Sequence, residues 1–332
     1  MAPTWPDHLP AMPIDRRTLL SGLLAAGPAT VQPAARAATA PDLLQEWTDP
    51  ARRRRVPVRI RLPGGNAPAP VVLVSHGLGG TRDGLAYLGL ALAEAGFLVV
   101  HPQHLGTDAA VWRGQSDPGL AMAAAVLDIR NALDRLHDIA FVLDRLQQDF
   151  AARADLSRIA IAGHSYGAWT VTHMLGERLP GGGLLEAGLG LRLPDPRLRA
   201  GIALSPVPPL GMRASDAFDR VTAPILHVTG SQDRGVIEAA TPADRLIPYR
   251  NIAAPGVLAV LAVLAGATHA AFAGEPSAGT RWDDPTYQPR VAKLATLFLR
   301  ATLLQDKVAA SLLHHAPILA PADHLKHRGA LV

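Results

Sequence analysis

Short apolar runs, bounded by proline, glycine or charged residues, recur along most of the chain. Runs of this length and continuity are typical of strands that are buried on both faces of a parallel sheet. The six clearest runs are Val71–Ser75, Phe97–His101, Arg158–Ala162, Ala200–Leu204, Ile225–Thr229 and Val257–Leu264. Because helical patterns separate most of them, the alternation predicts an α/β fold with a mostly parallel central sheet and helices on both faces.

The clearest helical pattern runs from about Leu120 to Gln148. Alanine, leucine and isoleucine recur there at steps of three and four residues among charged positions. This spacing predicts one long amphipathic helix. Sheets of the predicted kind bind ligands beyond the carboxyl ends of their strands, so those ends are where candidate site residues are expected.

The first 37 residues have the pattern of an export signal. Arg16 and Arg17 precede an uncharged stretch, Leu19–Val31, and a run of small residues follows it. This pattern predicts a twin-arginine signal cleaved after Ala37, with the protein periplasmic or secreted. A general secretory signal and a disordered basic arm are the alternatives.

The remainder of the chain shows no repeat period and no long polar linker. We therefore expect one catalytic domain over residues 56–310, which begins at the strand-like segment Val56–Ile60. Residues 38–55 are interpreted as an N-terminal linker, and residues 311–332 as a C-terminal tail.

Composition narrows the classes of partner. The formal charge of +4 comes from arginines spread along the chain, which argues weakly against a nucleic-acid partner. The run Arg52–Arg55 is the exception, and a solvated strand entrance is favoured there over contact with an anionic surface. The chain has no cysteine, so it has neither disulfides nor a thiol nucleophile. Nothing in the sequence indicates an oligomeric state.

One uncharged stretch, Ile252–Gly274, is nearly long enough to span a bilayer. Pro255 and Gly256 interrupt it early, and the apolar run that follows has the length of a buried strand. We therefore expect a sheet strand here, and no stable membrane span once the export signal is removed.

The segment Gly163-His164-Ser165-Tyr166-Gly167 places a serine between two glycines. A strand is predicted before it and a helix after it, which is the setting of a nucleophile elbow. Gly163 and Gly167 lack the Cβ atoms that would clash where strand and helix cross. Ser165 is therefore the predicted nucleophile, and His164 is expected to support the turn.

A serine hydroxyl needs a general base and a group that orients the base. His269 follows the last apolar run, and Asp233 follows the run Ile225–Thr229, so the chain order is Ser, Asp, His. Three other carboxylates compete with Asp233 for the orienting role: Asp216, Asp219 and Glu238.

Donors for a developing oxyanion are predicted at two places. The segment His76-Gly77-Leu78-Gly79-Gly80 follows the run Val71–Ser75, and its glycines allow the backbone N–H of Leu78 to face the site. The N–H of Tyr166 is expected to face it from the start of the elbow helix. His76 and Gly77 are interpreted as support for this loop.

The thirteen histidines raise the alternative of a metal site, for which His101, His104 and Asp108 are the best candidates. These residues lie at a strand end and in a loop, without a helical HExxH, so we expect no metal. The loop that follows, with His104 and Trp112, is instead predicted to form a pocket wall. No nucleotide-binding fingerprint is present, and no cofactor is expected.

Several motifs together resemble the α/β-hydrolase superfamily, over roughly Val56 to Leu304. They are GHSYG at 163–167, HGLGG at 76–80 followed by Thr81-Arg82-Asp83-Gly84, His101-Pro102-Gln103-His104, and GATHAAF at 266–272. Within the superfamily the chain is similar to bacterial predicted dienelactone hydrolases, which are related to platelet-activating-factor acetylhydrolases. The resemblance implies an α/β-hydrolase fold and oxyanion donors at Leu78 and Tyr166. Short-chain carboxylic esters are the default substrates, and acetylated phospholipids, which would imply lipid degradation, polyesters and lactones are narrower options.

Two departures from these relatives bear on the mechanism. The acetylhydrolases take their acid from a GIALD-type segment, whereas this chain has Ser205 at that place, in GIALS. The acid is therefore expected elsewhere, at Asp233. Dienelactone hydrolases proper use a cysteine nucleophile, which this chain lacks.

These features predict an exported serine esterase that acts on a small-molecule carboxylic ester through Ser165, His269 and Asp233. An amide-cleaving enzyme with the same residues is the first alternative. A non-catalytic binding protein with the same fold is the second.

Overall fold

A central β-sheet of nine strands organises the described part of the chain. The computed structural model describes residues 42–235, 239–252, 254–275 and 286–330, which all lie within one compact unit. The strands are β1 Leu43–Asp49, β2 Arg54–Arg61, β3 Ala69–Ser75, β4 Leu98–Pro102, β5 Ala154–His164, β6 Leu198–Leu204, β7 Ile225–Gln232, β8 Ala259–Thr268 and β9 His324–Arg328.

The strands are ordered β1-β2-β4-β3-β5-β6-β7-β8-β9 across the sheet. All pairs from β4 to β8 are parallel, and the pairs β1–β2, β2–β4 and β8–β9 are antiparallel. The carboxyl ends of β3 to β8 therefore lie along one edge of the sheet. This confirms the prediction of a mostly parallel central sheet.

Helices connect most of the parallel strands. They are α1 Ala86–Glu94, α2 Pro118–Leu127, α3 Ile129–Asp149, α4 Tyr166–Met174, α5 Gly182–Gly188, α6 Ala214–Ala217, α7 Ile247–Asn251, α8 Gln288–Leu303 and α9 Lys307–His315. Short 3₁₀ turns lie at Ala109–Val111, Asp244–Leu246 and His269–Phe272.

The core consists of two apolar layers, one on each face of the sheet. Successive side chains of a strand point to opposite faces: Val71 and Leu73 of β3 pack with α3 and α4, and Val72 and Val74 pack with α1 and α8. Burying one such side chain stabilises the fold by about 1.5–3 kcal/mol. The prediction of helices on both faces is confirmed.

The long helix predicted from Leu120 to Gln148 is divided in two at Asp128. The backbone of Asp128 is extended, and its carboxylate accepts a hydrogen bond from the N–H of Arg130. Asp128 therefore caps the start of α3, and an aspartate in this role competes with helix continuation.

The sheet extends beyond the predicted catalytic domain on both sides. Strand β1 lies within residues 38–55, which were interpreted as a linker, and pairs with β2. Strand β9 lies within the predicted tail, residues 311–332, and pairs with β8. Both strands are at sheet edges, where exposed positions leave little apolar signal in the sequence. The predicted export signal, residues 1–37, lies outside the described residues.

The uncharged stretch Ile252–Gly274 contains β8, which is buried between β7 and β9. The expectation of a sheet strand is thus confirmed. In the part of the chain that the structure describes, no helix combines the length and apolar character needed to cross a membrane.

Gly230 offers a test of how closely β7 and β8 pack. A Cβ atom at Gly230 would overlap the backbone carbonyl of Ala267, whereas one at Gly183, in α5, would meet open space. We expect Gly230→Ala to destabilise the protein by about 1–3 kcal/mol, because backbone must move to accommodate the methyl group. Chemical denaturation of both variants measures this.

The matched control, Gly183→Ala, should change the free energy of unfolding by no more than about 1 kcal/mol. Equal unfolding free energies for the two variants would contradict the close approach of β7 and β8.

Candidate active site

Ser165 occupies the sharp turn between β5 and α4, at the carboxyl edge of the sheet. Its φ of 55° and ψ of −115° are a conformation that a non-glycine residue adopts only when its surroundings impose it. The Ser165 N–H donates to the carbonyl of Leu204 at 2.9 Å, and the Ser165 carbonyl accepts from Trp169 N at 3.0 Å. Strand β6 and helix α4 therefore hold the turn from both sides.

Gly163 and Gly167 are required by the crossing of β5 and α4. A Cβ atom on Gly163 would overlap the backbone of Gly167, and one on Gly167 would overlap the carbonyl of Ser75 at the end of β3. The predicted role of these two glycines, to let strand and helix cross closely, agrees with this packing.

Ser165, His269 and Asp233 lie in one hydrogen-bonded chain. His269 Nε2 is 2.9 Å from Ser165 Oγ, and His269 Nδ1 is 2.8 Å from Asp233 Oδ1. His269 begins the 3₁₀ turn after β8, and Asp233 follows β7, so two strand ends and the elbow bring them together.

Asp233 is held as a carboxylate. Its side chain is buried, which acts to raise its pKa, but the hydrogen bond and charge of His269, with the charge of Arg245, outweigh this and lower the pKa to about 2. Thr229 Oγ1 donates to the other carboxylate oxygen at 2.8 Å. The nearby hydroxyl of Ser205, on the end of β6, also favours the ionised form.

The competing carboxylates lie elsewhere or outside the described residues. Asp216 pairs with Arg213, and Asp219 pairs with Arg178, both with partly exposed side chains. Glu238 lies outside the described residues. Of the carboxylates that the structure describes, Asp233 is the one in contact with His269.

Arg245 is a charged neighbour of His269 that the sequence did not suggest. Its buried side chain places Nε 3.3 Å from Asp233 Oδ1 and Nη2 3.3 Å from His269 Nδ1. Nη1 donates to the carbonyl of Pro206 at 3.2 Å. The carboxylate therefore lies between an imidazole and a fixed positive charge.

The loop at residues 76–80 lies beside the elbow. Within the described residues, neither the N–H of Leu78 nor that of Tyr166 donates a hydrogen bond to another group. The loop is anchored by Gly79 N, which donates to Thr107 O at 2.8 Å, and by Trp112 Nε1, which donates to Gly79 O at 2.7 Å.

The two histidines predicted as supports make backbone contacts. His164 Nε2 lies 3.0 Å from the carbonyl of His269, and burial lowers the His164 pKa to about 3, so the ring is neutral and donates from Nε2. His76 Nδ1 lies 2.6 Å from the carbonyl of Gly77, which was predicted to support the same loop. The His164 ring thus ties the elbow to the segment that carries His269, whereas the His76 contact lies within the loop itself.

His104 does not form a pocket wall. It is fully buried beneath the loop at residues 76–80, where it contacts Ser75 and Asp138. Trp112, by contrast, is half-buried and lies against Gly79. The side chain of His104 is enclosed by these contacts and has no exposed surface with which to line a pocket.

The histidines considered for a metal site have other partners. His101 Nδ1 faces the carbonyl of Gly84, and His104 Nδ1 faces Asp138. Within residues 42–330 as described, no group of three or more suitable side chains could hold a metal ion.

Glu275 is another residue at the site that the sequence did not identify. Its carboxyl group contacts Thr81 N at 3.1 Å and Thr81 Oγ1 at 2.9 Å, and so joins the segment after His269 to the loop at residues 76–84. Burial raises its pKa to about 7. No local spacing in the sequence signals this contact, because 194 positions separate the two residues.

Comparison with known proteins gives no family for this chain. No protein-family model matches it, and no curated protein is significantly similar to it. The chain's own residues and their geometry therefore carry the functional argument.

Proposed function

We propose that the protein is a serine hydrolase that cleaves carboxylic esters through an acyl-enzyme intermediate. The single observation that carries this proposal is the continuous hydrogen-bonded chain from Ser165 through His269 to the buried carboxylate of Asp233. Nucleophile, base and orienting acid in such contact are the requirements of this chemistry.

In the proposed reaction, Ser165 Oγ attacks the ester carbonyl while His269 Nε2 takes its proton. Asp233 accepts a hydrogen bond from His269 Nδ1, which fixes the tautomer with a free Nε2 and stabilises the imidazolium that forms. The imidazolium then gives its proton to the leaving alcohol. His269 Nε2 then takes a proton from a water molecule as that water attacks the carbonyl of the acyl-enzyme, the bond between the acyl group and Ser165 Oγ breaks, and the imidazolium returns its proton to Ser165 Oγ as the carboxylic acid leaves.

The negative charge of the tetrahedral intermediate needs preorganised donors. The N–H groups of Leu78 and Tyr166 flank Ser165 from the loop and the helix start, and neither is used by another described group. We propose that these two groups receive the oxyanion. Tyr166 is buried and Leu78 is half-buried, and a hydrogen bond in such surroundings is electrostatically stronger than in water.

The same features support the assignment of the α/β architecture to the α/β-hydrolase fold. The serine lies on a strained strand-to-helix turn, and Asp233 and His269 follow it in that order at later strand ends. We also propose that the enzyme is exported, on the basis of Arg16, Arg17 and the uncharged stretch after them.

Ser165→Ala should abolish hydrolysis of p-nitrophenyl acetate, because it removes the nucleophile. We expect turnover to fall by about three orders of magnitude or more. A fluorophosphonate probe should modify the wild-type protein at Ser165 and leave the variant unmodified, as mapped by peptide mass spectrometry. Unchanged turnover in the variant would contradict the proposal.

Asp233→Asn should lower kcat by about 10³- to 10⁴-fold without unfolding the protein, because the amide no longer holds the imidazole in the required tautomer. Asp219→Asn is the matched control, since Asp219 pairs with Arg178 at the surface. Steady-state kinetics of both variants test the assignment. A larger loss of kcat in Asp219→Asn than in Asp233→Asn would show that Asp233 is not the acid of the site.

Arg245→Met should raise the pKa of Asp233 above its value of about 2, because the charge of Arg245 is one of the interactions that lower it. The Asp233 carboxylate then becomes protonated at a higher pH during acidification, and the stability that depends on its ionised form is lost at that higher pH. Chemical denaturation over a series of acidic pH values measures this change.

Arg178→Met is the control for Arg245→Met, because Arg178 pairs with the partly exposed Asp219, and it should change the acid dependence of stability much less. An unchanged acid dependence of stability in Arg245→Met would show that Arg245 does not act through its charge on Asp233.

A further inference from the structure

A second serine–histidine–aspartate set lies beneath the loop at residues 76–80. Ser75 Oγ is 3.0 Å from His104 Nε2, and His104 Nδ1 is 3.1 Å from Asp138 Oδ2. All three side chains are fully buried. No substrate can reach Ser75, so this set needs a role other than nucleophilic attack.

The protons of this second set can be assigned from its neighbours. Burial lowers the pKa of His104 to about 4, so the ring is neutral near pH 7. Asp138 is a carboxylate, because hydrogen bonds and charges of His104 and Arg54 outweigh the effect of its burial and lower its pKa to about 2. His104 therefore donates from Nδ1 to Asp138, and its Nε2 accepts the Ser75 hydroxyl proton.

Two arginines connect the carboxylate of Asp138 to the surface. Arg54 Nε lies 2.9 Å and Arg52 Nη2 lies 2.8 Å from Asp138 Oδ1. Arg52 and Arg54 thus pair with the buried carboxylate of Asp138, whereas Arg53 and Arg55 are exposed. The sequence-based interpretation of the whole run as a solvated strand entrance is correct only for these exposed members.

Arg135, from α3, completes the cluster. Its guanidinium donates to Ser75 Oγ at 2.9 Å, Thr107 Oγ1 at 2.8 Å and Thr170 Oγ1 at 3.0 Å, and also to the carbonyl of His76. With its hydroxyl proton committed to His104, Ser75 can only accept from Arg135. This fixes the direction of every hydrogen bond in the cluster.

Arg135 contacts the residues on both sides of the proposed oxyanion site. It holds the carbonyl of His76, two residues before Leu78, and its guanidinium lies 4.6 Å from the centre of the Tyr166 ring. Thr170 is on the same helix as Tyr166. One buried cation therefore joins the loop to the elbow helix.

His76 links the cluster to the peptide group that carries the Leu78 N–H. The N–H of His104 donates to His76 Nε2 at 3.0 Å, so the ring proton is on Nδ1 and is donated to the carbonyl of Gly77. The Gly77 carbonyl and the Leu78 N–H belong to one planar trans peptide and point in opposite directions. The hydrogen bond that holds the Gly77 carbonyl against the His76 ring therefore points the Leu78 N–H away from that ring.

We propose that Arg135, together with Ser75, His104 and Asp138, is a positioning system that fixes the Leu78 N–H as an oxyanion donor. This inference rests on the proposed function. The residues touch no substrate, and they act through the backbone of residues 76–78. Because a misdirected donor weakens binding of the transition state more than binding of the substrate, their loss should lower kcat.

Two variants test the proposal. Arg135→Met removes the cation at nearly constant volume, and Ser75→Ala removes one oxygen from the cluster while leaving Arg135 in place. In both, kcat and kcat/KM for p-nitrophenyl acetate should fall together by about 10- to 100-fold, with KM within about twofold. The inhibition constant of phenylboronic acid, whose adduct with Ser165 carries a tetrahedral oxyanion, should weaken by a similar factor.

Arg220→Met is the matched control. Arg220 pairs with the buried Glu186 at 2.7 Å, on α5 and away from the elbow. This variant should lower the thermal midpoint as Arg135→Met does, yet keep kcat and phenylboronic acid binding. Its behaviour separates a loss of stability from a loss of positioning.

Three results would overturn the proposal. They are an unchanged kcat in Ser75→Ala, a rise in KM without a fall in kcat, and unchanged phenylboronic acid binding in a folded variant. Each of these results can occur with an active wild-type enzyme, and it would then contradict the positioning role but not the proposed esterase function. A wild-type protein that neither hydrolyses the ester nor reacts with a fluorophosphonate would contradict both proposals.

Discussion

The strained backbone of Ser165 is the constraint on which the site depends. A residue with its φ and ψ persists only if the surroundings fix the turn, and here β6 binds its N–H while α4 begins immediately after it. The turn fits because Gly163 packs directly against the backbone of Gly167, and Gly167 packs against the backbone of Ser75 at the end of β3. The sheet order, which places β3 and β6 on either side of β5, is thus what exposes the serine hydroxyl.

Two buried aspartate–histidine pairs flank this turn, and each has an arginine beside it. Asp233 and His269, with Arg245, lie where the histidine reaches Ser165. Asp138 and His104 lie under the neighbouring loop, where Arg135 completes their cluster. Buried charges are costly unless paired, so both sets are satisfied internally. In the first set the histidine faces Ser165, which is only half-buried, whereas in the second it faces Ser75, which is fully buried.

The features that could be predicted from the sequence are those that depend on residues close together in the chain. Ser165 was predicted from the glycines around it, and the sheet was predicted from apolar runs of strand length. Arg135 and Asp138 were missed because charged residues within helical patterns are normally solvated. Arg245 was missed because its burial depends on contacts between segments that are distant in the sequence. Strands β1 and β9 were missed because edge strands expose much of their surface. Asp128 divides a helix that periodicity alone would continue.

The most direct test of the central claim is to trap the intermediate itself. The wild-type protein is mixed with p-nitrophenyl acetate, quenched with acid during turnover, digested and analysed by mass spectrometry. An acyl-enzyme mechanism predicts an acetyl group on the peptide that contains Ser165, which disappears as substrate is exhausted. Acetyl on another residue during turnover, or sustained turnover with Ser165 unmodified throughout, would contradict it.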